Sequence, residues 1–211
     1  MISKLLKVLK PSPMKSLVKQ VLKSGFINQY KALELFAREG NWHTTDYARY
    51  MKSVEAWEID PAYEANLRKN LPLAKIKITD TFKEIRLVQE KYDFVVSDNS
   101  MSLYGNNDQY CEHFMLFPDV FRILMDHSVL VVNVIPKVYP ENKVKYPYLF
   151  NPKQCELRKE FYKTETPEDI SWEQLIGAYS DYASQNGFRV EKTIIKKRNF
   201  VYYLALFLKK E

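Results

Sequence analysis

The chain has 211 residues, enough for one domain with a full hydrophobic core. Hydrophobic residues make up 46% and charged residues 27%, an ordinary globular composition that excludes a disordered chain. Its two cysteines, Cys111 and Cys155, exclude a disulfide-stapled secreted scaffold and indicate a reducing compartment, so we expect a cytoplasmic protein.

The formal net charge of +6 is concentrated at the N-terminus. Residues 1–33 contain seven lysines and no acid, which leaves 25 basic and 26 acidic residues for the rest of the chain. Residues 2–10 and 14–23 each place apolar side chains on one helical face and lysines on the other. We expect residues 1–30 to be a basic helical arm. Three roles stay open: covering one edge of the core, peripheral contact with the inner membrane surface, or binding an anionic polymer such as RNA.

From residue 31 to residue 135, short apolar runs alternate with helical segments. The predicted strands are 31–36, 53–59, 75–79, 92–98 and 128–135. The predicted helices are 43–51, 61–70, 81–90 and 108–126. This alternation predicts right-handed crossovers and a mostly parallel sheet with helices on both faces, an α/β architecture.

The pattern changes after residue 135. Residues 136–153 are rich in Tyr, Lys and Pro, and long segments of this kind in compact domains are usually functional or mobile. We expect 136–170 to be a substrate lid within one domain that covers 31–211. A helix from Ser171 to about Gln185 follows, and the chain ends in two strand-like runs that predict an antiparallel hairpin.

Each predicted parallel strand ends in an acid or an amide. These residues are Glu34, Glu58, Asp80, Asp98 and Asn133. Ligands of open parallel sheets bind outside the carboxyl ends of the strands, so the set indicates a binding edge. Any one of these side chains is equally well explained as a cap of the helix that follows it.

Four segments resemble the class I S-adenosylmethionine-dependent methyltransferases. They are ALELFAREGNW, EAWEIDP, TDTF and YDFVVSDNS. The resemblance covers roughly 30–135 and 188–209, and it implies a Rossmann-like, seven-stranded sheet that ends in an inserted antiparallel strand. The loop after the first strand departs from the family pattern, because it retains only Gly40 and has Arg38 where a glycine is expected.

The resemblance implies S-adenosylmethionine as cofactor, with Glu58 on the ribose hydroxyls, Asp80 on the adenine amino group and Asp98 beside the transferred methyl. The implied cofactor-binding residues are Glu34, Phe36, Gly40, Glu58, Ile59, Asp80, Thr81 and Asp98. Neither GxGxxG nor GxxxxGK[ST] occurs, which disfavours an NAD enzyme and a nucleoside triphosphatase.

The acceptor is less well defined by the sequence. Asp98 and His113 are the predicted catalytic residues, His43 is a further candidate, and Asp98 is expected to matter for turnover more than for folding. The predicted acceptor contacts are Asn99, Tyr104, Asn133 and Tyr139. We expect O-methylation of a small molecule or saccharide without a metal. An RNA or DNA methyltransferase and a non-catalytic module of the same fold are the alternatives.

Overall fold

The structure, a computed structural model, describes residues 11–98, 103–104, 110–111, 113–146 and 152–211. The strands are β1 (Lys31–Glu34), β2 (Ser53–Glu58), β3 (Lys75–Ile78), β4 (Tyr92–Ser97), β5 (Leu103–Tyr104), β6 (Tyr110–Cys111), β7 (Leu124–Val134), β8 (Phe188–Arg198) and β9 (Val201–Lys210). The α-helices are α1 (Pro13–Ser24), α2 (Thr44–Ala48), α3 (Glu64–Asn70), α4 (Thr81–Leu87), α5 (Phe117–Arg122), α6 (Pro140–Lys145), α7 (Pro152–Tyr162) and α8 (Trp172–Gln185).

Seven strands form one mixed sheet in the order β3-β2-β1-β4-β7-β9-β8. The first five of these pair in parallel, and β9 pairs antiparallel with both β7 and β8. The strand predictions and the terminal hairpin are confirmed. Val134 at the end of β7 pairs with Tyr202, so the β8–β9 turn lies at the carboxyl edge of the parallel strands.

Helices cover both faces of the sheet, as predicted. One face packs against α1, α2 and α3, and the other against α4, α5, α7 and α8. The two faces are built from alternating strand positions: Phe94 and Val96 of β4 belong to the first core, and Val95 belongs to the second.

The predicted helix over 108–126 is wrong. The described part of this range contains β6, a 3₁₀ turn at His113–Leu116 and the short helix α5, and β7 already begins at Leu124. Pro118 explains the difference, because a proline lacks the N–H that a helix interior requires and fits only the first turn. The apolar spacing that suggested one long helix belongs to several short elements.

Helix α1 is part of the core rather than a detached arm. Ser12 caps its first turn by accepting from the Lys15 N–H at 3.1 Å, and Gly25 ends it in the left-handed conformation. Its apolar face is buried against the sheet, through Met14, Leu17, Val18 and Val21. This packing agrees with the first of the three roles considered for the arm. The predicted helix over 2–10 lies outside the described residues.

Asp93, a buried residue of β4, anchors the segment that joins α1 to β1. Its Oδ2 accepts the backbone N–H groups of Asn28, Gln29 and Tyr30 at 3.2, 2.7 and 2.9 Å, and its Oδ1 accepts that of Lys31 at 2.7 Å. The carboxylate thereby satisfies four backbone donors, three in the connecting segment and one at Lys31, the first residue of β1.

The segment after β7 contains the helices α6 and α7. The buried Arg158 of α7 donates to the carbonyl oxygens of Pro167 and Ile135 at 2.9 and 2.7 Å, which fixes this helix beside the end of β7. The role of 136–170 as a substrate lid stays a prediction. No described helix combines the length and the apolar composition that crossing a membrane requires.

Gly40→Ala should lower the free energy of unfolding by about 1–3 kcal/mol. Gly40 has φ +72°, and an added Cβ would lie 2.8 Å from Leu67 Cδ1 and 2.9 Å from Leu71 Cδ1. Urea unfolding measures the change. Gly177→Ala is the matched control. Gly177 lies within α8, and a Cβ added there would have no atom within 4 Å, so the substitution should be neutral or stabilising. Equal stabilities of the two variants would contradict the tight packing at Gly40.

Candidate active site

The strand-end residues meet at one edge of the sheet, as the sequence predicts. Glu34 and Glu58 end β1 and β2, Asp98 directly follows β4, and Asn133 is near the end of β7. Asp80 lies two residues after β3 and caps α4 by accepting the Phe82 N–H at 3.0 Å. Because these strands are sheet neighbours and run in parallel, their acids line one continuous edge.

The loop after β1 is held by the carboxylate of Glu58. Its Oε2 accepts the Arg38 N–H at 2.6 Å and its Oε1 accepts the Asp60 N–H at 2.9 Å. Arg38 has φ +48°, which is the left-handed region that favours glycine. The chain therefore keeps the backbone conformation of a glycine at this position although the residue is an arginine.

The side chain of Arg38 lies among aromatic rings. It donates from Nη2 to the Tyr63 hydroxyl at 3.3 Å, and its guanidinium carbon is 5.4 Å from the Tyr63 ring centroid. The same carbon is 5.3 Å from the ring centroid of Trp42, whose side chain is 61% exposed. These cation–π contacts fix the cation beside the loop.

Four charged side chains form a continuous chain across the first sheet face. Glu34 Oε2 lies 2.9 Å from His43 Nε2 and also accepts the hydroxyls of Thr44 and Tyr47, at 3.2 and 2.8 Å. His43 Nδ1 lies at ion-pair distance, 2.9 Å, from Asp98 Oδ2. Asp98 then accepts from Arg198 Nη1 at 2.7 Å and from the Asn133 amide. Charges alternate along Glu34, His43, Asp98 and Arg198, so each buried charge has an opposite neighbour.

This alternation fixes the protonation states. Burial disfavours charged His43, but the carboxylates of Glu34 and Asp98 outweigh it and raise the pKa of His43 to about 10. Burial would likewise raise the pKa of Asp98, but His43 and Arg198 lower it. At neutral pH the histidine is cationic and Asp98 is anionic. Both are therefore poor proton acceptors, and Asp98 is better suited to orienting neighbouring groups than to general base catalysis.

The remaining predicted cofactor residues have structural contacts of their own. Thr81 donates to the Leu35 carbonyl oxygen at 2.5 Å, and the Phe36 ring lies 6.4 Å from that of Phe82. Ile59, directly after Glu58, is 45% exposed. Of the predicted catalytic and acceptor residues, Asn99 and the side chains of Tyr104 and His113 lie outside the described residues.

A cleft of about 240 Å³ lies at the same edge, beside the β8–β9 turn. It is lined by Pro136, Lys137, Tyr139, Glu141, Asn142, Lys197, Asn199, Phe200 and Tyr202. Tyr139, a predicted acceptor contact, is 46% exposed there. A second cleft, of about 280 Å³, is lined by the start of β2 and the residues before β3, so it lies at the opposite edge from the strand-end acids.

Sequence reasoning missed the partners that the β8–β9 hairpin contributes. Arg198 is 100 positions from Asp98 in the chain, and no local pattern links them. Tyr203, which accepts from Arg198 Nη1 at 2.7 Å, looks like an ordinary strand residue. His43 was a candidate by its position near the first strand, and the structure places it at the centre of the charge chain. The described residues contain no group of three or more His, Cys, Asp or Glu side chains that could hold a metal ion.

Solved structures share the fold. The match to Trm1 from Pyrococcus horikoshii in complex with S-adenosyl-L-methionine has a TM-score of 0.62 and 12% identity, and covers 95% of this chain and 56% of that one. Magnesium protoporphyrin IX methyltransferase (ChlM) from Synechocystis PCC 6803 with bound SAH matches with a TM-score of 0.58 and 14% identity, over 94% and 82% of the chains.

TrmN from Thermus thermophilus matches with a TM-score of 0.52 and 12% identity, over 93% of this chain and 49% of that one. The sequence matches no protein family and no curated protein. At these identities the likeness establishes the fold alone. The predicted Rossmann-like architecture, which these methyltransferases share, is confirmed.

Proposed function

We propose that this protein is an S-adenosylmethionine-dependent methyltransferase that methylates an oxygen atom of a small molecule or saccharide. The observation that carries the proposal is the row of carboxylates at the ends of β1 and β2 and just beyond β3. The loop after β1 lies beside this row, and its residue Arg38 has a left-handed backbone conformation. The shared fold supports the same function, because two of the matched structures contain S-adenosyl-L-methionine or SAH.

The residues at this edge fit the cofactor. Glu58 uses one oxygen for each of two backbone N–H groups, and a carboxylate oxygen can accept a further hydrogen bond, which suits a pair of ribose hydroxyls. Asp80 remains partly exposed while capping α4 and could accept from an adenine amino group. Glu34 Oε1 is buried without a hydrogen-bond partner among the described residues, so the end of β1 retains acceptor capacity.

The bound cofactor would supply a methyl group on a sulfonium, which is transferred by in-line displacement. The protein's part in such a reaction is positioning. Glu58 and the loop at Arg38 would hold the nucleoside, and the charge chain would keep Asp98 anionic beside the transferred methyl. A negative carboxylate at this place would favour binding of the cationic sulfonium and would help to orient the acceptor.

Arg38 is compatible with cofactor binding. Its guanidinium contacts Tyr63 and Trp42 rather than a strand-end acid, so it does not occupy the row of carboxylates. This placement argues against the alternative of a non-catalytic module, which rested on the cation in the loop. The 240 Å³ cleft with its tyrosine, asparagine and lysine side chains supports a small polar acceptor.

Binding of S-adenosylhomocysteine, measured by isothermal titration calorimetry, tests the proposal. Glu58→Ala should weaken this binding at least tenfold, since each hydrogen bond to a charged group contributes about 1.5–3 kcal/mol. Glu64→Ala is the control, because Glu64 is a neighbouring carboxylate paired with Arg68 on the α3 surface. Thermal unfolding checks that both variants are folded. Absence of binding to the parent protein would refute the function, and equal affinities would refute the role of Glu58.

Nucleic acid is the second candidate for the acceptor. The observation that favours it is the outer face of α1, where Lys15, Lys19 and Lys23 follow one another at helical spacing and the opposite face is buried. Affinity for a single-stranded RNA that falls steeply with salt concentration would support this candidate over a small acceptor.

A further inference from the structure

Arg198 has an unused hydrogen-bonding edge. A guanidinium carries five N–H donors, and Arg198 places only Nη1 in contact, with Asp98 and with Tyr203, each at 2.7 Å. Its Nε and Nη2 have no hydrogen-bond partner among the described residues. These two nitrogens form one edge with two parallel N–H groups, the arrangement that matches the two oxygens of a carboxylate.

Aromatic rings hold the guanidinium in place. The guanidinium carbon lies 4.5 Å from the Trp42 ring centroid and 5.4 Å from that of Tyr203. The Arg198 side chain is 24% exposed, so part of it contacts solvent. Trp42 is mostly exposed and provides an aromatic surface beside this guanidinium.

The two proton acceptors nearest to Arg198, Asp98 and His43, are both engaged in ion pairs. His43 is held as a cation between two carboxylates, and Asp98 as an anion between two cations. Methylation of an alcohol needs a group that removes the hydroxyl proton, whereas an acceptor that is already an anion needs none. An oxyanion acceptor therefore fits this arrangement of ion pairs better than a hydroxyl does.

From these contacts we propose that the Nε–Nη2 edge of Arg198 binds a carboxylate of the acceptor, and that the product is a methyl ester. This inference rests on the function proposed above. One carboxylate oxygen forms the new bond to the methyl carbon, the sulfur–carbon bond breaks, and its electron pair returns to sulfur. The negative acceptor and the positive sulfonium both become neutral, and no proton is released. A singly charged carboxylate suits a site beside Asp98 better than a dianionic phosphate does.

Binding of benzoate to the full chain tests the first step without any turnover. The protein has three tryptophans, Trp42, Trp57 and Trp172, so the indole N–H region of a two-dimensional NMR spectrum is simple. We expect benzoate to shift the Trp42 signal saturably, and benzyl alcohol and phenyl phosphate to have much weaker effects. Because Trp57 is wholly buried, its signal serves as an internal control.

Arg198→Lys is the informative variant. It keeps a cation for Asp98 and therefore the fold, but it loses the two-donor edge, so benzoate affinity should fall at least tenfold. Lys209→Gln removes an exposed charge from the opposite end of the same hairpin, where Lys209 pairs with Arg189, and should change the affinity less than twofold. The proposal is overturned if benzoate produces no saturable shift, if phenyl phosphate binds and benzoate does not, or if Arg198→Lys binds benzoate as tightly as the parent protein.

The product identifies the acceptor atom. The protein is incubated with methyl-labelled S-adenosylmethionine and a metabolite extract, and the labelled product is treated with mild base. Release of the label as methanol identifies a methyl ester, whereas a label that survives the treatment identifies an ether or an amine. Base-labile product supports the inference, whereas product that is entirely base-stable overturns it and leaves the methyltransferase assignment intact. Failure to bind S-adenosylhomocysteine would instead refute the proposed function, and the benzoate experiment would still report on Arg198.

Discussion

Asp98→Ala should lower the free energy of unfolding by about 3–5 kcal/mol, because it removes the shared partner of the buried His43 cation and the partly exposed Arg198. Asp98 contacts His43, Arg198 and Asn133, and its side chain is almost fully buried. From the sequence alone, Asp98 was expected to matter for turnover more than for folding, and its burial within the charge chain changes that expectation.

Urea unfolding at pH 7 measures the effect of the Asp98 substitution. Asp126→Ala is the matched control, because Asp126 is exposed and its carboxylate forms a single long ion pair, 3.9 Å from Lys210 Nζ. This substitution should alter the unfolding free energy by less than about 0.5 kcal/mol. Asp98→Asn should cost less than the alanine variant because the amide retains one acceptor oxygen. An Asp98→Ala protein as stable as the control would show that the charge chain does not support the fold.

The stability of the protein should fall as the pH rises from about 6.5 to about 10. Folding raises the pKa of His43 from 6.5 to about 10, because Glu34 and Asp98 outweigh the effect of burial. In this pH range the native state still binds a proton at His43 that the unfolded state has released. The contribution of charged His43 to the free energy of unfolding is therefore complete below pH 6.5 and lost at pH 10. Its full size is on the order of 5 kcal/mol, since the pKa shifts from 6.5 to about 10 and each pKa unit corresponds to about 1.4 kcal/mol.

His43→Gln isolates this effect from the contributions of other titratable groups. The variant should be less stable than the parent protein at pH 7, and the difference should shrink as the pH approaches 10. Unfolding free energies from urea titrations at several pH values give both curves. A difference that stays constant with pH would mean that His43 is not held as a cation.

The sequence predicts the parallel half of the molecule well for a physical reason. Strands buried on both faces are continuous apolar runs, and the residues that end them are polar because they emerge from the core, as Glu58 and Asp98 do. Those two features are local, so a single sequence shows them. The boundaries of β1 and β2 differ from the predicted ones by only one or two residues.

The features that the sequence does not predict are those that depend on residues far apart in the chain or on the backbone conformation of a single residue. Arg198 completes the site only after β9 has inserted between β7 and β8, a tertiary event that strand patterns do not encode. Pro118, by contrast, is a local signal against a single helix over 108–126, because proline fits only the first turn whatever the apolar spacing around it. The glycine-like conformation of Arg38 could not be read from an arginine at all.

The four hydrogen bonds of Asp93 have a consequence for how the protein opens. The segment between α1 and β1 is attached to a central strand, and not merely packed over the surface. Releasing residues 28–31 from β4 would leave the buried Asp93 carboxylate without its donors, so this segment and the parallel strands should unfold as one cooperative unit. Residues 28–31 are therefore a poor location for a hinge, a protease cleavage site or an inserted tag, even though 28–30 lie outside any helix or strand.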